Sequence, residues 1–320
     1  MGADSKTLVY QSIERTNGPF FTDHRSLEAV RERIVADIRA TVADAGVDGV
    51  VVAMSGGIDS TLTTALAVEA VGSESVLGLG LPCHMTEEAH VSDAHTIAEG
   101  MGIDFEEIQL RPLLEVFDET VASELESETE ADNRPNERNR EIGNATARLR
   151  MLTAYYAANR QSRVVLGTAN RSEWLLGYFT KYGDGAADAY PIGDCYKTEV
   201  RALAKHIGLP RRIVSKEPTA GFWATQTDAD ELGARYDVID PLLYRLVEEG
   251  RSFDEAVAEL QLDRDTAEEI ASLHADTEHK RATPRHRGSL AVARKDSSTV
   301  RTRSSDRNGT RPRRSVIVPR

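Results

Sequence analysis

Val50-Val51-Val52-Ala53-Met54-Ser55-Gly56-Gly57-Ile58-Asp59-Ser60-Thr61-Leu62 decides how this 320-residue chain is read. The short apolar run predicts a buried strand, Ser55 to Ser60 a glycine-rich turn, and Thr61 to Ala70 a helix. At such a turn the free backbone N–H groups and the helix dipole favour an anion. Gly56 and Gly57 let the backbone approach a phosphate closely, while Ser55 and Ser60 add hydroxyl donors. Asp59 is a poor neighbour for phosphate unless a divalent cation lies between them, so the turn implies magnesium-bound polyphosphate. No GxxxxGK[ST] is present, which excludes a Walker A loop. A glycine turn that merely opens a helix is the plainer alternative.

Helical periodicity runs from Leu27 to Ala45 (Leu27, Val30, Ile34, Ile38, Val42) ahead of the motif strand. Further strands are expected over Ser75 to Leu81, Ile103 to Leu110 and Arg163 to Leu166. Helices are expected over Thr86 to Gly100, Arg111 to Leu125, Asn144 to Arg160 and Lys197 to Ile207. The polar, charged stretch Glu126 to Arg140 reads as a mobile loop. Strands alternating with helices predict an α/β fold, a parallel sheet with helices on both faces. Ligands of such a sheet bind at the carboxyl ends of the strands, where SGGIDS and Gly167-Thr168 both lie.

Composition narrows the classes. No apolar run reaches the roughly 18 residues that span a membrane. The opening MGADSKTLVY lacks a signal peptide's apolar region, and Lys6 breaks the myristoylation pattern. The expectation is a soluble, cytoplasmic protein with no membrane partner. Cys83 and Cys195 are far apart in sequence and form no CxxC pair, which argues against disulfide and zinc frameworks. The net charge of −13 is uneven. Residues 1–280 hold 27 basic against 50 acidic side chains, a local −23, and residues 281–320 hold 12 against two, a local +10. Only seven lysines stand against 32 arginines. An acidic, lysine-poor body points to a halophilic surface, where salt screens self-repulsion, or to an ordinary acidic enzyme. It argues against nucleic-acid binding. We therefore expect a single domain over 1–280 and a basic, disordered tail over 281–320. A partner-binding tail and a reading-frame artefact are the alternatives for the latter.

The turn resembles the SGGxDS pyrophosphate loop of the ATP pyrophosphatases, whose fold is adenine-nucleotide-alpha-hydrolase-like. Further segments narrow the resemblance: Gly143-Asn144-Ala145-Thr146-Ala147-Arg148-Leu149-Arg150-Met151, Leu166-Gly167-Thr168-Ala169-Asn170-Arg171-Ser172-Glu173, and Phe179-Thr180-Lys181-Tyr182-Gly183-Asp184-Gly185-Ala186-Ala187-Asp188. Tyr196-Lys197-Thr198, Lys216-Glu217-Pro218-Thr219-Ala220 and Thr277-Glu278-His279-Lys280 follow in order. Together, over about Leu27 to Lys280, they resemble the NAD synthetases. The residues ahead of the motif are too few for a glutaminase domain, so the expected form is the ammonia-dependent one.

That resemblance implies an ATP-dependent ligase of NAD biosynthesis that amidates deamido-NAD with ammonia, releases AMP and pyrophosphate, and works as a homodimer. It implies ATP contacts at Ala53, Met54, Ser55, Gly56, Gly57, Ile58, Asp59, Ser60, Thr168, Lys197 and Thr219, and magnesium at Asp59 and Glu173. Arg148, Lys181, Asp188, His279 and Lys280 are the implied deamido-NAD contacts; arginine and lysine suit an anionic dinucleotide, and a carboxylate suits ribose hydroxyls. Asp184 is the implied catalytic residue, holding or deprotonating ammonium. The plainer readings are a first-turn helix acid for Glu173, a solvated helix lysine for Lys197, a turn threonine for Thr219, a helix-surface charge for Arg148 and a turn former for Asp184. Family members often carry Asp-His where this chain has Ala169-Asn170, and Thr-Gly-Phe-Phe at Leu176-Gly177-Tyr178-Phe179; only the fine shape of the pocket is expected to change. Alternative functions are a tRNA-thiolating or GMP-forming enzyme, or a nucleotide-binding regulator without turnover.

Overall fold

The computed structural model describes residues 13, 18–84, 88–125, 135–216 and 228–282. Thr219, the Glu126–Arg140 stretch up to residue 134 and the tail from 283 lie outside the described residues.

Four strands form one parallel sheet in the order β3-β2-β1-β4: β1 (Gly49–Ala53), β2 (Val76–Gly80), β3 (Asp104–Glu107) and β4 (Arg163–Leu166). β1 lies inside the sheet, with Val51 paired to Leu77 on one side and Val165 on the other. Side chains alternate between faces along each strand. Val50, Val52, Val76, Val164 and Leu166 therefore join a core with α1 (His24–Ala45), α2 (Ile58–Val71), α3 (Glu88–Met101), α8 (Lys197–His206) and α9 (Arg211–Val214). Val51, Leu77, Leu79 and Val165 face the other way, against α4 (Arg111–Phe117) and α6 (Pro135–Arg160). Both faces are covered, which is why the strands are apolar runs and not polar–apolar alternations. The edge strand β3 is the exception: its acidic Asp-Phe-Glu-Glu leaves an edge that resists pairing with another chain.

Several boundaries differ from the sequence reading. α2 begins at Ile58, three residues before the expected Thr61, so Asp59 and Ser60 sit in its first turn. α4 passes into a π-helical turn over Asp118–Ala122 and ends in α5 (Ser123–Leu125). The expected loop over Glu126 to Arg140 is wrong from Pro135 onward, because α6 already starts there. Proline is preorganised for the first helical position, and the Glu and Arg that follow are good helix formers.

A second, all-helical core has no counterpart in the sequence reading. α7 (Arg171–Leu176), α10 (Asp228–Leu232), α11 (Tyr236–Leu243), α12 (Phe253–Leu260) and α13 (Arg264–Asp276) bury Leu175, Leu176, Ile239, Leu242 and Ile270 together. The short helix α14 (Glu278–Arg281) closes it. The described residues up to Ala282 form one compact unit. Arg281, counted above with the tail, belongs to this body: its guanidinium donates to the carbonyl of Leu175 at 2.7 Å and to Thr277 Oγ1 at 2.9 Å.

Candidate active site

The carboxyl ends of β1 and β4 open onto a cavity of about 310 Å³. Strand order reverses between these two strands, which is where an open α/β sheet offers its ligand crevice. The first wall is the motif itself. Gly56 takes a left-handed φ of +70°, a conformation costly for any side chain-bearing residue. Gly57 caps α2 with no side-chain bond to the helix N-terminus, leaving that terminus to the cavity. Ser60, 2% exposed, lies 3.2 Å from both the Gly57 carbonyl and the Ser55 hydroxyl. Its hydroxyl braces the turn, while Ser55 is the serine exposed at its surface.

The opposite wall comes from α7 and α8. Lys197 opens α8 although a cation is disfavoured at a helix N-terminus. Its compensation is local: Nζ lies 2.6 Å from Asp59 Oδ2 and 3.0 Å from Glu173 Oε1, and the side chain is 2% exposed. Tyr236 places its ring 5.2 Å from the same ammonium and donates its hydroxyl to Asp228 at 2.8 Å. Burial works against the Lys197 charge, but Asp59 and Glu173 outweigh it and raise its pKa above the ordinary lysine value. Burial likewise pushes the Glu173 carboxyl up, with Lys197 opposing and Asp59 and Asp228 reinforcing. The Asp228 carboxyl is raised for the same first reason.

Three carboxylates thus face one ammonium, a surplus of negative charge at the edge of a cavity. Asp59 and Glu173 each accept two hydrogen bonds, one per oxygen, and keep further lone pairs. No group of three or more His, Cys, Asp or Glu that could cage a metal occurs among the described residues. The donor set fits a hard cation that takes one or two carboxylates from the protein and its other oxygens from phosphate and water, the habit of magnesium.

Ala53, Met54, Ser55, Gly57, Ile58, Asp59, Ser60, Thr168, Glu173, Asp184 and Lys197 all line this cavity. Asp184 is solvent-accessible where it faces the cavity. Protein crowded around its carboxyl raises its pKa, against a bond from the Thr180 amide at 2.9 Å and the nearby charges of Arg150 and Lys280.

The implied dinucleotide contacts sit elsewhere. Arg148 is exposed and donates to the Lys181 carbonyl at 3.2 Å. Lys181 in turn donates to the carbonyl of His279, which is itself exposed. Lys280 donates to the carbonyls of Gly177 and Phe179 at 2.7 and 2.9 Å. These four are linked by hydrogen bonds in and around the 177–188 loop and are not among the residues lining the cavity. Asp188 accepts from the Val165 amide at 2.8 Å and is tied to the end of β4. Two residues apart on a helix means a turn of about 200°, so Arg148 and Arg150 leave α6 on opposite sides, and Arg150 is the one in the cavity. Sequence reasoning gave no role to Arg150, Asn170, Tyr178, Asp228 or Tyr236. The spacing Asn170-x-x-Glu173 was a readable helix-capping signal.

No helix among the described residues is long and apolar enough to cross a membrane. The family model described as NAD synthase matches residues 30–284. The chain is 42% identical over 256 residues to the NH3-dependent NAD(+) synthetase of Thermococcus kodakarensis, covering 80% of this chain and 95% of that one. It is 40% identical to the enzyme of the same name from Halobacterium salinarum, over 79% of this chain and 91% of that one. Among solved structures it is similar to NMN synthetase from Francisella tularensis, with a TM-score of 0.69, 31% identity, and coverage of 81% of this chain and 98% of that one.

Proposed function

Because the chain belongs to the NAD synthase family and is an ATP-using, ammonia-dependent ligase of NAD synthesis, we propose roles for the residues around its cavity. The observation that carries the reading is Lys197 held between Asp59 and Glu173 beside the SGGIDS turn. ATP enters with its β- and γ-phosphates on the turn from Ser55 to Ser60 and its α-phosphate toward Lys197. Thr168, on the cavity wall, adds a further contact. Asp59 and Glu173 would hold magnesium, which when bound neutralises triphosphate oxygens and stabilises the charge of the departing pyrophosphate.

A free carboxylate is a poor acyl donor to ammonia, so activation must come first. The nicotinate carboxylate of deamido-NAD attacks the α-phosphorus, pyrophosphate leaves, and a mixed anhydride with AMP forms. Lys197 and the α2 N-terminus stabilise the negative charge on that path. Asp184, facing the cavity with a raised pKa, takes up ammonium and its proton; ammonia then attacks the acyl carbon and expels AMP. Arg148, Lys181, Asp188, His279 and Lys280 take the outer part of the dinucleotide.

We assign the enzyme to the cytoplasm with its nucleotide substrates, as the resemblance implies, and to a homodimer. Exposed Leu113, Val116, Leu125, Leu152 and Tyr156 provide apolar surface for that pairing. The test is to supply ATP, magnesium and ammonium while varying the acid acceptor. AMP formed with deamido-NAD and not with nicotinate mononucleotide supports the reading, and the reverse preference overturns it. Light scattering of the eluted protein checks the dimer.

A further inference from the structure

Asn170 is fully buried and lies between the two acids of the site. Its side-chain Nδ2 donates to Asp59 Oδ1 at 2.9 Å. Its Oδ1 accepts from the backbone amide of Glu173 at 3.0 Å, and the Asn170 backbone N–H donates to the Glu173 carboxylate at 3.3 Å. The orientation of this carboxamide is forced by its partners. A carboxylate only accepts and a backbone N–H only donates, so one end must face Asp59 and the other Glu173.

Two acids 114 positions apart in the chain, one on α2 and one on α7, are thereby tied to one rigid side chain. We infer that Asn170 is a positioning residue: it fixes the separation and the facing of the Asp59 and Glu173 carboxylates, so that both meet the same cation. Lys197 cannot do this alone. Its ammonium touches one oxygen of each acid at the end of a flexible stem, and leaves the remaining oxygens free to rotate. Asn170 holds the second oxygen of Asp59 and, through the helix cap, the backbone that carries Glu173. Orientation of metal-binding side chains by a buried hydrogen-bond partner is a general requirement of such sites. The substitution at 169–170, expected to alter only pocket shape, thus falls on the residue that sets this geometry. The inference rests on the magnesium reading of Asp59 and Glu173.

Two variants test it. Asn170→Ser keeps an oxygen that can cap α7 but is too short to reach Asp59. Asn170→Asp keeps the shape and the cap but turns a carboxylate toward Asp59. The readouts are Mn2+ binding to the full chain with a non-hydrolysable ATP analogue, by electron paramagnetic resonance, and the melting temperature without nucleotide. Both variants should weaken Mn2+ binding by about 10- to 100-fold. The Ser variant should do so with a melting temperature close to that of the wild type. Asp59→Asn serves as the reference. If it loses Mn2+ while both Asn170 variants bind it normally, Asn170 is only a helix cap and the inference falls alone. If Asp59→Asn also binds Mn2+ normally, the magnesium reading falls and takes the inference with it.

Discussion

The ammonium of Lys197 lies 2.6 Å from Asp59, a carboxylate 138 positions away in sequence, and the contact joins the two walls of the cavity. Asp59→Asn removes that ion pair with almost no change in volume. Lys197 keeps Glu173 as a partner at 3.0 Å, so the fold should survive. Pyrophosphate release should fall by about 10²-fold or more at saturating ATP and magnesium. A turnover equal to that of the wild type would remove Asp59 from the mechanism.

Asp184 supplies a pH-dependent test. The protein crowded around its carboxyl raises the folded-state pKa, so the fold favours the protonated acid. In strong acid the group is protonated whether folded or not, and no penalty exists. As pH rises past the usual aspartate range near 3.9, the unfolded chain ionises first and the fold loses stability until the raised value is passed. Asp184→Asn should therefore gain melting temperature over the wild type as pH goes from acid to neutral, while turnover falls by about 10²-fold. A stability difference that does not vary with pH would contradict the raised pKa.

The pair of Arg171 and Glu248 holds the helical core beside the site. The guanidinium donates twice to one carboxylate oxygen, at 2.8 and 3.1 Å, and Glu248 is 4% exposed. Arg171→Leu would leave that carboxylate buried, with the Tyr196 hydroxyl, 3.1 Å away, as its remaining hydrogen-bond partner among the described residues. Urea unfolding should show a loss of about 3–5 kcal/mol. A change below about 1 kcal/mol would mean that water reaches Glu248.

The acidic body makes a prediction about salt. Its local −23 repels itself over about 10 Å at 0.1 M salt but only about 3 Å at 1 M. Melting temperature and activity should both rise toward molar KCl. A version ending at Ala282, which keeps the Arg281 contacts, should depend on salt more steeply because it lacks the basic tail. Flat melting curves for both would show that the composition is not a salt adaptation.

The sheet was readable because each buried strand is a short apolar run with a turn signal at its end; Arg163 to Leu166 matches its expected bounds. The strand–turn–helix form of the Ser55–Ser60 motif was readable because strand, glycines and helix are contiguous. The second core was not. Its helices are short, one contains Pro241 and passes into a π-helical turn at Tyr244–Glu248, and their apolar faces make sense only against one another. Arg148 shows a further limit: spacing along a motif does not reveal which of two nearby arginines turns inward, and the helix phase decides for Arg150. Asp228 and Tyr236 reach Lys197 from that unread core, so no local pattern announced them.

Lys280 and Arg281 clasp the carbonyls of Leu175, Gly177 and Phe179, and Gly177 sits at φ +61° with no room for a side chain beside Thr277. The loop that carries Asp184 is thus secured by residues about a hundred positions further on. During synthesis, a nascent chain can finish its sheet and phosphate turn long before this fastening exists. Nucleotide binding should therefore precede amide-forming competence as the polypeptide leaves the ribosome, with α14 acting as the clasp on the loop that carries Asp184.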